Sequence, residues 1–519
     1  MLPAYNVQSF SDFTKPENEA AMKSALTQAK AELGKTYPLV IGGKTIQLKD
    51  TFASINPARP AEVIGNFANG TAEHADQAIT AAAEAFKSWQ HVPVEDRARY
   101  LLRAAAAMRR RKNEFNAYMV LEVGKSWYEA EADTSEAIDF MEYYARQAVR
   151  IADQSNLMAP YPPEQLGYYN IPLGVGAIIP PWNFPNAIPV GLVTAALVTG
   201  NTVVFKPAEQ SMWIGYKLAE LLWSVGLPPG VLNLVTGPGE VVGARMVLHP
   251  QTRFIGFTGS KQVGLWIHEH AAKIQPGQKW LKRCILEMGG KDATLVDETA
   301  NLEEAAQGIV SAAFGFQGQK CSAGSRAVIV DSVYPQVASR VVELAKELKV
   351  GPTDEGNHIN MGPVINQDAF KKIMDYIEIG TQEGELLLGG QPLNTPSNGY
   401  FIPPTIFGSV PWDARIAQEE IFGPVLTMVK ANDFDDALRI ANSTEYGLTG
   451  ALYSNQRERL ERARDEFHVG NLYLNRKCTG ALVGIHPFGG FNMSGTDSKG
   501  GGPDYLLQFT QGKSVAEKL

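Results

Sequence analysis

From Gly174 onward, short β-rich runs alternate with helical ones, and this rhythm constrains the fold more than any other feature of the sequence. Strand-like runs at 175–179, 202–206, 231–235, 254–257 and 284–286 are separated by helical patterns near 188–197, 214–223, 241–248 and 261–272. Alternation of this kind predicts an α/β doubly wound parallel sheet, which binds ligands beyond the carboxyl ends of its strands. The loops at those ends carry the polar residues. They are Pro180-Pro-Trp-Asn-Phe-Pro185, Lys206-Pro-Ala-Glu209, Gly237-Pro-Gly239 and Phe257-Thr-Gly-Ser260. The last turns from strand into helix through glycine, so its N–H groups could hold a phosphate. None is a G-x-G-x-x-G fingerprint, and Lys206 beside Glu209 could equally be a surface ion pair. Their occurrence at successive strand ends favours a nucleotide site.

The chain before this region predicts mostly helix over residues 1–150. A charged helical segment covers 15–34, and a hairpin over 38–46 turns on Gly42-Gly43. A helix begins at Thr71, its N-cap, and places Ala75, Ala78, Ile79, Ala82, Phe86 and Trp89 on one face. Two more helices are expected over 95–122 and 126–153. Beyond Gly290 a second α/β unit starts, with a strand at 293–296 and a helix at 302–314. The tail from Thr496 is glycine-rich and then β-like over 505–509.

Several function classes are excluded. A net charge of −8 lacks the clustered positive footprint of a nucleic-acid binder. The basic run 109–112 reads as a solvated helix face. Three cysteines give no disulfide framework and predict a reducing, cytoplasmic setting. No C-x-x-C or H-E-x-x-H pattern suggests a metal site. Residues 1–13 lack the layout of a signal peptide, and the longest uncharged apolar run, 188–199, is too short to span a bilayer.

The helix expected to end near residue 316 leads into Gly318-Gln-Lys-Cys-Ser-Ala-Gly324. Small residues on both sides of Cys321 let backbone and substrate approach a thiol closely. A lone cysteine is also compatible with plain core packing, Asn183 with a turn cap, and Glu287 with a strand-end carboxylate. As a set they supply a nucleophile, an amide donor and a base.

Together these stretches resemble the aldehyde dehydrogenase superfamily over the chain from about Asn56 onward. The carriers are Pro181-Trp-Asn-Phe-Pro185, Lys206-Pro-Ala-Glu209, Phe257-Thr-Gly-Ser260, Leu286-Glu-Met-Gly-Gly-Lys291, Gly318-Gln-Lys-Cys321, Glu420-Ile-Phe-Gly-Pro424 and Pro487-Phe-Gly-Gly490. The resemblance implies Cys321 as nucleophile, Glu287 as the base that activates water, and Asn183 with the Cys321 N–H as oxyanion donors. It implies NAD, with ribose hydroxyls on Lys206, Glu209 and Glu420 and a phosphate on Ser260. Phe422 would lie beside the nicotinamide, and Ile179, Pro180, Trp182, Gly259 and Gly289 would line the cofactor site. Without the family, Phe422 reads equally well as a core aromatic before a turn.

Within the superfamily the likeness is strongest to the branch acting on L-glutamate γ-semialdehyde, in the second step of proline degradation. The carriers are 136–146, 275–283, 316–323 and 467–484. That branch implies the α-carboxylate of the substrate on Ser322, Gly480 and Ala481, with Phe184 and Phe488 flanking its aliphatic middle and Glu136 also in the substrate site. An ordinary tight turn is the alternative for Gly480-Ala481. Other hydrolytic aldehyde dehydrogenases, or a non-catalytic structural role for the fold, are the competing readings. The implied domains are a cofactor domain over 1–154 and 173–288, a catalytic domain over 289–495, and a bridging β element over 155–172 and 496–519. That last element implies a homodimer or hexamer.

Overall fold

The five strands expected between residues 175 and 286 form one parallel array. In a computed structural model that describes residues 4–152 and 158–519, they are Val175–Ile179, Thr202–Phe205, Leu232–Leu234, Thr252–Thr258 and Arg283–Glu287. Their spatial order is Arg283–Glu287, Thr252–Thr258, Val175–Ile179, Thr202–Phe205, Leu232–Leu234. The hairpin Leu39–Ile41/Lys44–Ile46 extends the far edge through an antiparallel contact with Leu232–Leu234. The central strands Val175–Ile179 and Thr202–Phe205 are buried along almost their whole length, as strands covered by helices on both faces are. Val203, Val204 and Phe205 have no solvent exposure, and burying each such side chain contributes about 1.5–3 kcal/mol.

The strand order reverses between Val175–Ile179 and Thr252–Thr258, so the ligand crevice of a doubly wound sheet opens there. The residues at that opening are Pro180 to Asn183 on one side and Gly259-Ser260 on the other.

A second sheet has seven strands in the order Glu385–Leu388, Thr405–Gly408, Val425–Ala431, Arg326–Val330, Ala293–Val296, Thr449–Tyr453, Asn471–Leu474. All its neighbours are parallel except the antiparallel edge strand Glu385–Leu388. The chain passes from Glu287, the last residue of one sheet, to Ala293, the first of the other, in a five-residue crossing. Consequently the carboxyl edge of the first sheet faces the amino edge of the second. The Cys321 turn precedes strand Arg326–Val330, and Glu420 precedes Val425–Ala431.

Three expectations need correction, and one sheet was not anticipated. Residues 1–150 are mostly helical, as expected, but Thr51–Asn56, Arg59–Ala68 and Lys35–Tyr37 among them form a three-stranded sheet. Pro60, Gly65 and Asn66 within the longest strand hid it. The helix expected over 95–122 breaks at Arg111 (φ −107°, ψ 18°) into Val94–Arg110 and Lys112–Val123. Tyr505–Phe509 is a 3-10 helix, and the strand follows it at Thr510–Lys518, pairing antiparallel with Glu164–Pro172. The approach to Cys321 is not a simple helix end. Helix Leu302–Phe314 gives way to a 3-10 turn in which Phe316 (φ 49°) and Gln317 (φ 56°) are left-handed. The expected boundary at 154/155 lies outside the described residues.

Candidate active site

One cavity of about 250 Å³ opens where the two sheets meet. Eight of the expected residues line it: Trp182, Asn183, Gly259, Ser260, Gly289, Cys321, Glu420 and Phe422. They come from five separate stretches of chain, and each is delivered by identifiable local structure.

Asn183 is 4% exposed on the loop after Val175–Ile179, and its Nδ2 donates to Gln319 O at 3.1 Å. One amide hydrogen is thereby used to hold Asn183 against the turn of Cys321, and the other stays available. Gln319 is in turn fixed by Ile365 N, which donates to its Oε1 at 3.0 Å. Ser260 heads helix Lys261–Ala271, and its hydroxyl accepts from Val263 N at 3.3 Å. Phe422 is held in the left-handed region (φ 60°), and its ring meets Trp182 edge to face at 5.6 Å. A bulky residue rarely adopts that conformation, and strain of this kind collects at sites where surrounding structure dictates side-chain direction.

Burial and the neighbouring carboxylates Asp292, Glu420 and Glu287 hold the Cys321 thiol well above the ordinary thiol range. Of the three cysteines it alone lines the cavity. Cys478 is wholly buried, with its pKa pushed up to about 12, and Cys284 is partly exposed on strand Arg283–Glu287, its pKa raised to about 11 by burial. Packing accounts for Cys478, and Cys284 lies away from the cavity.

Glu287 does not line the cavity. Its carboxylate lies in a niche of small residues, accepting from Gly490 N at 3.3 Å and from the Ser498 hydroxyl at 3.4 Å. Burial there pushes its pKa well above the usual carboxylate range. Both contacts are long, so the side chain is lightly held.

Ile179, Lys206 and Glu209 form an adjoining group. Lys206 is 2% exposed and pairs with Glu209 at 2.9 Å. Glycine at 239 and 243 keeps the space beside Glu209, Lys206 and Ile179 clear. Pro180, next to Ile179, is buried.

The residues expected around the substrate lie outside the lining of that cavity. Phe184 lies 4.0 Å beneath the Lys125 ammonium, and Lys125 also sits 4.5 Å from the Phe316 ring. Ser322 is buried, and Cys478 Sγ contacts its carbonyl oxygen at 3.6 Å. Gly480 (φ 81°) is exposed and Ala481 partly so, while Phe488 exchanges two backbone hydrogen bonds with Gly500 at 2.7 and 2.8 Å. Glu136 is partly buried on helix Trp127–Ala152, and burial together with nearby Asp133 raises it to about 8.

Sequence reading missed Lys372 and Lys125. Lys372, on helix Gln367–Glu383, lines the cavity and donates to Glu420 O at 3.2 Å. Asn366 caps that helix, a signal that locates the helix start without locating its target. Lys125 is entirely buried and pairs with equally buried Asp133 at 2.9 Å. Asp133 Oδ1 also accepts from Ala187 N at 2.6 Å, next to the loop that carries Asn183. Among the described residues no group of three or more His, Cys, Asp or Glu is placed to hold a metal ion.

Residues 45–515 match the model of the aldehyde dehydrogenase family, and the chain belongs to that family. Over 518 residues, and the full length of both chains, it is 57% identical to the 1-pyrroline-5-carboxylate dehydrogenase of Geobacillus thermodenitrificans. The structure of a Thermus 1-pyrroline-5-carboxylate dehydrogenase with bound NAD superposes with a TM-score of 0.98 at 50% identity, covering 100% of both chains. The betaine aldehyde dehydrogenase of Staphylococcus aureus in complex with NAD+ gives a TM-score of 0.90 at 28% identity, covering 96% of this chain and 97% of the other.

The electrostatics generate a prediction. Because the pKa of Cys321 is raised, its thiolate fraction is small at neutral pH and grows about tenfold per pH unit. Alkylation of the ligand-free protein by iodoacetamide should therefore be slow at neutral pH and still accelerating at about pH 9, without a plateau. Peptide mapping follows Cys321 separately from Cys284, which is also partly exposed, and Cys321→Ser should remove the component carried by the Cys321 peptide alone.

Proposed function

We propose that the protein oxidises L-glutamate γ-semialdehyde, the open-chain form of 1-pyrroline-5-carboxylate, to L-glutamate with NAD as oxidant. The observation that carries the chemistry is a single cavity lined by both Cys321 and the loops of a nucleotide-binding sheet. The full-length relatives carry the choice of substrate.

The residues fit a dinucleotide. The crevice of the first sheet opens on the cavity, Ser260 heads a helix whose N-terminus favours phosphate, and Lys206 with Glu209 offers hydrogen bonds to ribose. The Glu209 carboxylate would repel a 2′-phosphate, which favours NAD over NADP. Glu420 takes ribose hydroxyls of the nicotinamide half. Phe422, Trp182, Ile179, Pro180, Gly259 and Gly289 shape the site. Bound NAD supplies the acceptor for the hydride lost by the substrate carbon.

Cys321 Sγ adds to the aldehyde carbon, losing its proton to Glu287 or water, and the carbonyl oxygen becomes an alkoxide. The free N–H of Asn183 and the backbone N–H of Cys321 stabilise that oxygen. After hydride loss the carbon is a thioester on Cys321. Glu287 swings out of its niche, removes a proton from water as it adds to the thioester, and the C–S bond breaks to release the new carboxylate. Burial raises the Glu287 pKa inside the niche, and leaving the niche restores the carboxylate that accepts the proton. Water as the acceptor gives Glu287 a task that transfer to CoA would not. Phe184 and Phe488 flank the aliphatic chain. Ser322 and the N–H groups of Gly480 and Ala481 hold the α-carboxylate, with Glu136 completing the substrate end.

The bridging β element provides for self-association. Strands Glu164–Pro172 and Thr510–Lys518 form a two-stranded ribbon with exposed Tyr168, Tyr169 and Val515 and unpaired edges, a template for adding to another sheet. A homodimer, or a hexamer of dimers, follows. The unpaired cysteines suit the cytoplasm, and among the described residues no helix is long and apolar enough to cross a membrane.

Two outcomes check these readings. Purified protein should form NADH from glutamate γ-semialdehyde without CoA and faster than from succinic semialdehyde or acetaldehyde, and Cys321→Ala should lower the rate by at least about a thousandfold. Removing residues 510–519 should shift the sedimentation coefficient to that of a monomer. An unchanged coefficient would place the interface elsewhere.

A further inference from the structure

The loop Thr479-Gly480-Ala481 would be an ordinary turn were it not for the side chain beneath it. Arg476 Nη2 donates to two successive carbonyl oxygens, Thr479 O at 2.9 Å and Gly480 O at 3.1 Å. In a trans peptide the N–H points opposite to the C=O of the same plane. Drawing both carbonyls onto one guanidinium nitrogen therefore turns the N–H groups of Gly480 and Ala481 together to the opposite side. Among the described residues neither N–H donates to a protein acceptor. Two adjacent, parallel and unused backbone donors make an anion-binding concavity.

The guanidinium is itself fixed. It stacks over the Tyr473 ring at 4.4 Å, and Tyr473 is buried on strand Asn471–Leu474. At the other end of the loop His486 Nδ1 accepts from Leu482 N at 3.2 Å, so the turn is restrained on both flanks. Thr479 is 3% exposed whereas Gly480 is exposed. The loop is thus anchored at its root and open at its donors. Cys478, one residue before it, touches the carbonyl of Ser322, which adjoins Cys321.

The geometry points to Arg476 as a positioning residue for the substrate α-carboxylate, acting through the peptide planes of Thr479–Gly480 and Gly480–Ala481 rather than by touching the substrate. The inference rests on the proposed glutamate-semialdehyde activity. It assigns the preorganisation of the carboxylate site to a side chain that faces away from the ligand. The positive charge adds attraction for the carboxylate, but the fork of the guanidinium sets the direction of the donors.

The test compares wild type with Arg476→Met and Arg476→Lys on glutamate γ-semialdehyde and on pentanal, which has the same chain length and no carboxylate. Calorimetric binding of L-glutamate supplies a readout independent of turnover. Arg476→Met should raise KM for the semialdehyde and weaken L-glutamate by about 10- to 100-fold, the size of one or two hydrogen bonds to a charged group. Its kcat on the semialdehyde and its kcat/KM on pentanal should stay within about twofold of wild type. Arg476→Lys keeps the charge but not the fork and should recover only a small part of the loss. It decides the matter if the methionine variant does not fold. Equal losses on both aldehydes, no loss on either, or full recovery with lysine would each overturn the clamp. If wild type itself fails to prefer the semialdehyde over pentanal, the substrate assignment fails and the clamp falls with it.

Discussion

Everything at the active site depends on how closely the chain packs as it crosses between the two sheets. A Cβ on Gly290 would lie 2.5 Å from Cys321 O, and one on Gly289 would collide with the Glu420 carboxylate. Only glycine lets the Cys321 turn and the Glu420 loop approach the crossing from two sides. The crossing is then fastened. Met288 N donates to Ser494 O at 2.8 Å, Gly290 N to Glu420 Oε1 at 3.0 Å, and Arg326 Nε to Lys291 O at 2.9 Å. Asp292 Oδ1 accepts from Thr449 N at 2.7 Å. Five residues thus bind strand ends from both sheets, the C-terminal glycine-rich segment and the cofactor-side loop into one unit.

Buried charge fixes the opposite wall. Lys125 and Asp133 have no solvent exposure, and the lysine ammonium rests on the rings of Phe184 and Phe316. One ring adjoins Asn183, and the other begins the left-handed turn that leads to Cys321. The pair therefore ties the Asn183 loop to the Cys321 turn. Such a pair adds little net stability over an apolar packing, but removing one member costs about 3–5 kcal/mol because the other is left uncompensated. Its contribution is geometric: it holds two loops at a set separation. Arg476 fixes the loop Thr479-Gly480-Ala481 in a similar way, by donating to carbonyl oxygens rather than to another charge.

The first parallel sheet was legible because its short β-rich runs alternate with helical ones, and strand Val175–Ile179 and helix Leu302–Phe314 have the expected limits. Of the second sheet only strand Ala293–Val296 was expected, since its other strands lie among loops whose pairing is set by distant segments. The small N-terminal sheet was not, since Arg59–Ala68 carries Pro60 and Gly65 and becomes a strand only between its two neighbours. The left-handed Phe316 and Gln317 could not be foreseen, because non-glycine residues adopt that region only when tertiary contacts dictate it. The same division runs through the site. Asn183 and Ser260, on strand-end loops, were expected beside a nucleotide crevice and line the cavity. Lys125, Lys372 and Arg476 lie on elements whose packing partners are far away in sequence, and charged residues in helices and turns ordinarily read as solvated.

The proposed reaction passes the aldehyde carbon through a thioester on Cys321 that Glu287 clears with water, and the intact mass of Glu287→Gln after one turnover with NAD and glutamate γ-semialdehyde tests it. About one NADH should be released per active site, with an equal amount of protein heavier by the acyl group, localised to the peptide containing Cys321 and decaying slowly. Release of NADH with no adduct and undiminished steady turnover would contradict the role of Glu287. An adduct on Cys478 or Cys284 would contradict the choice of nucleophile.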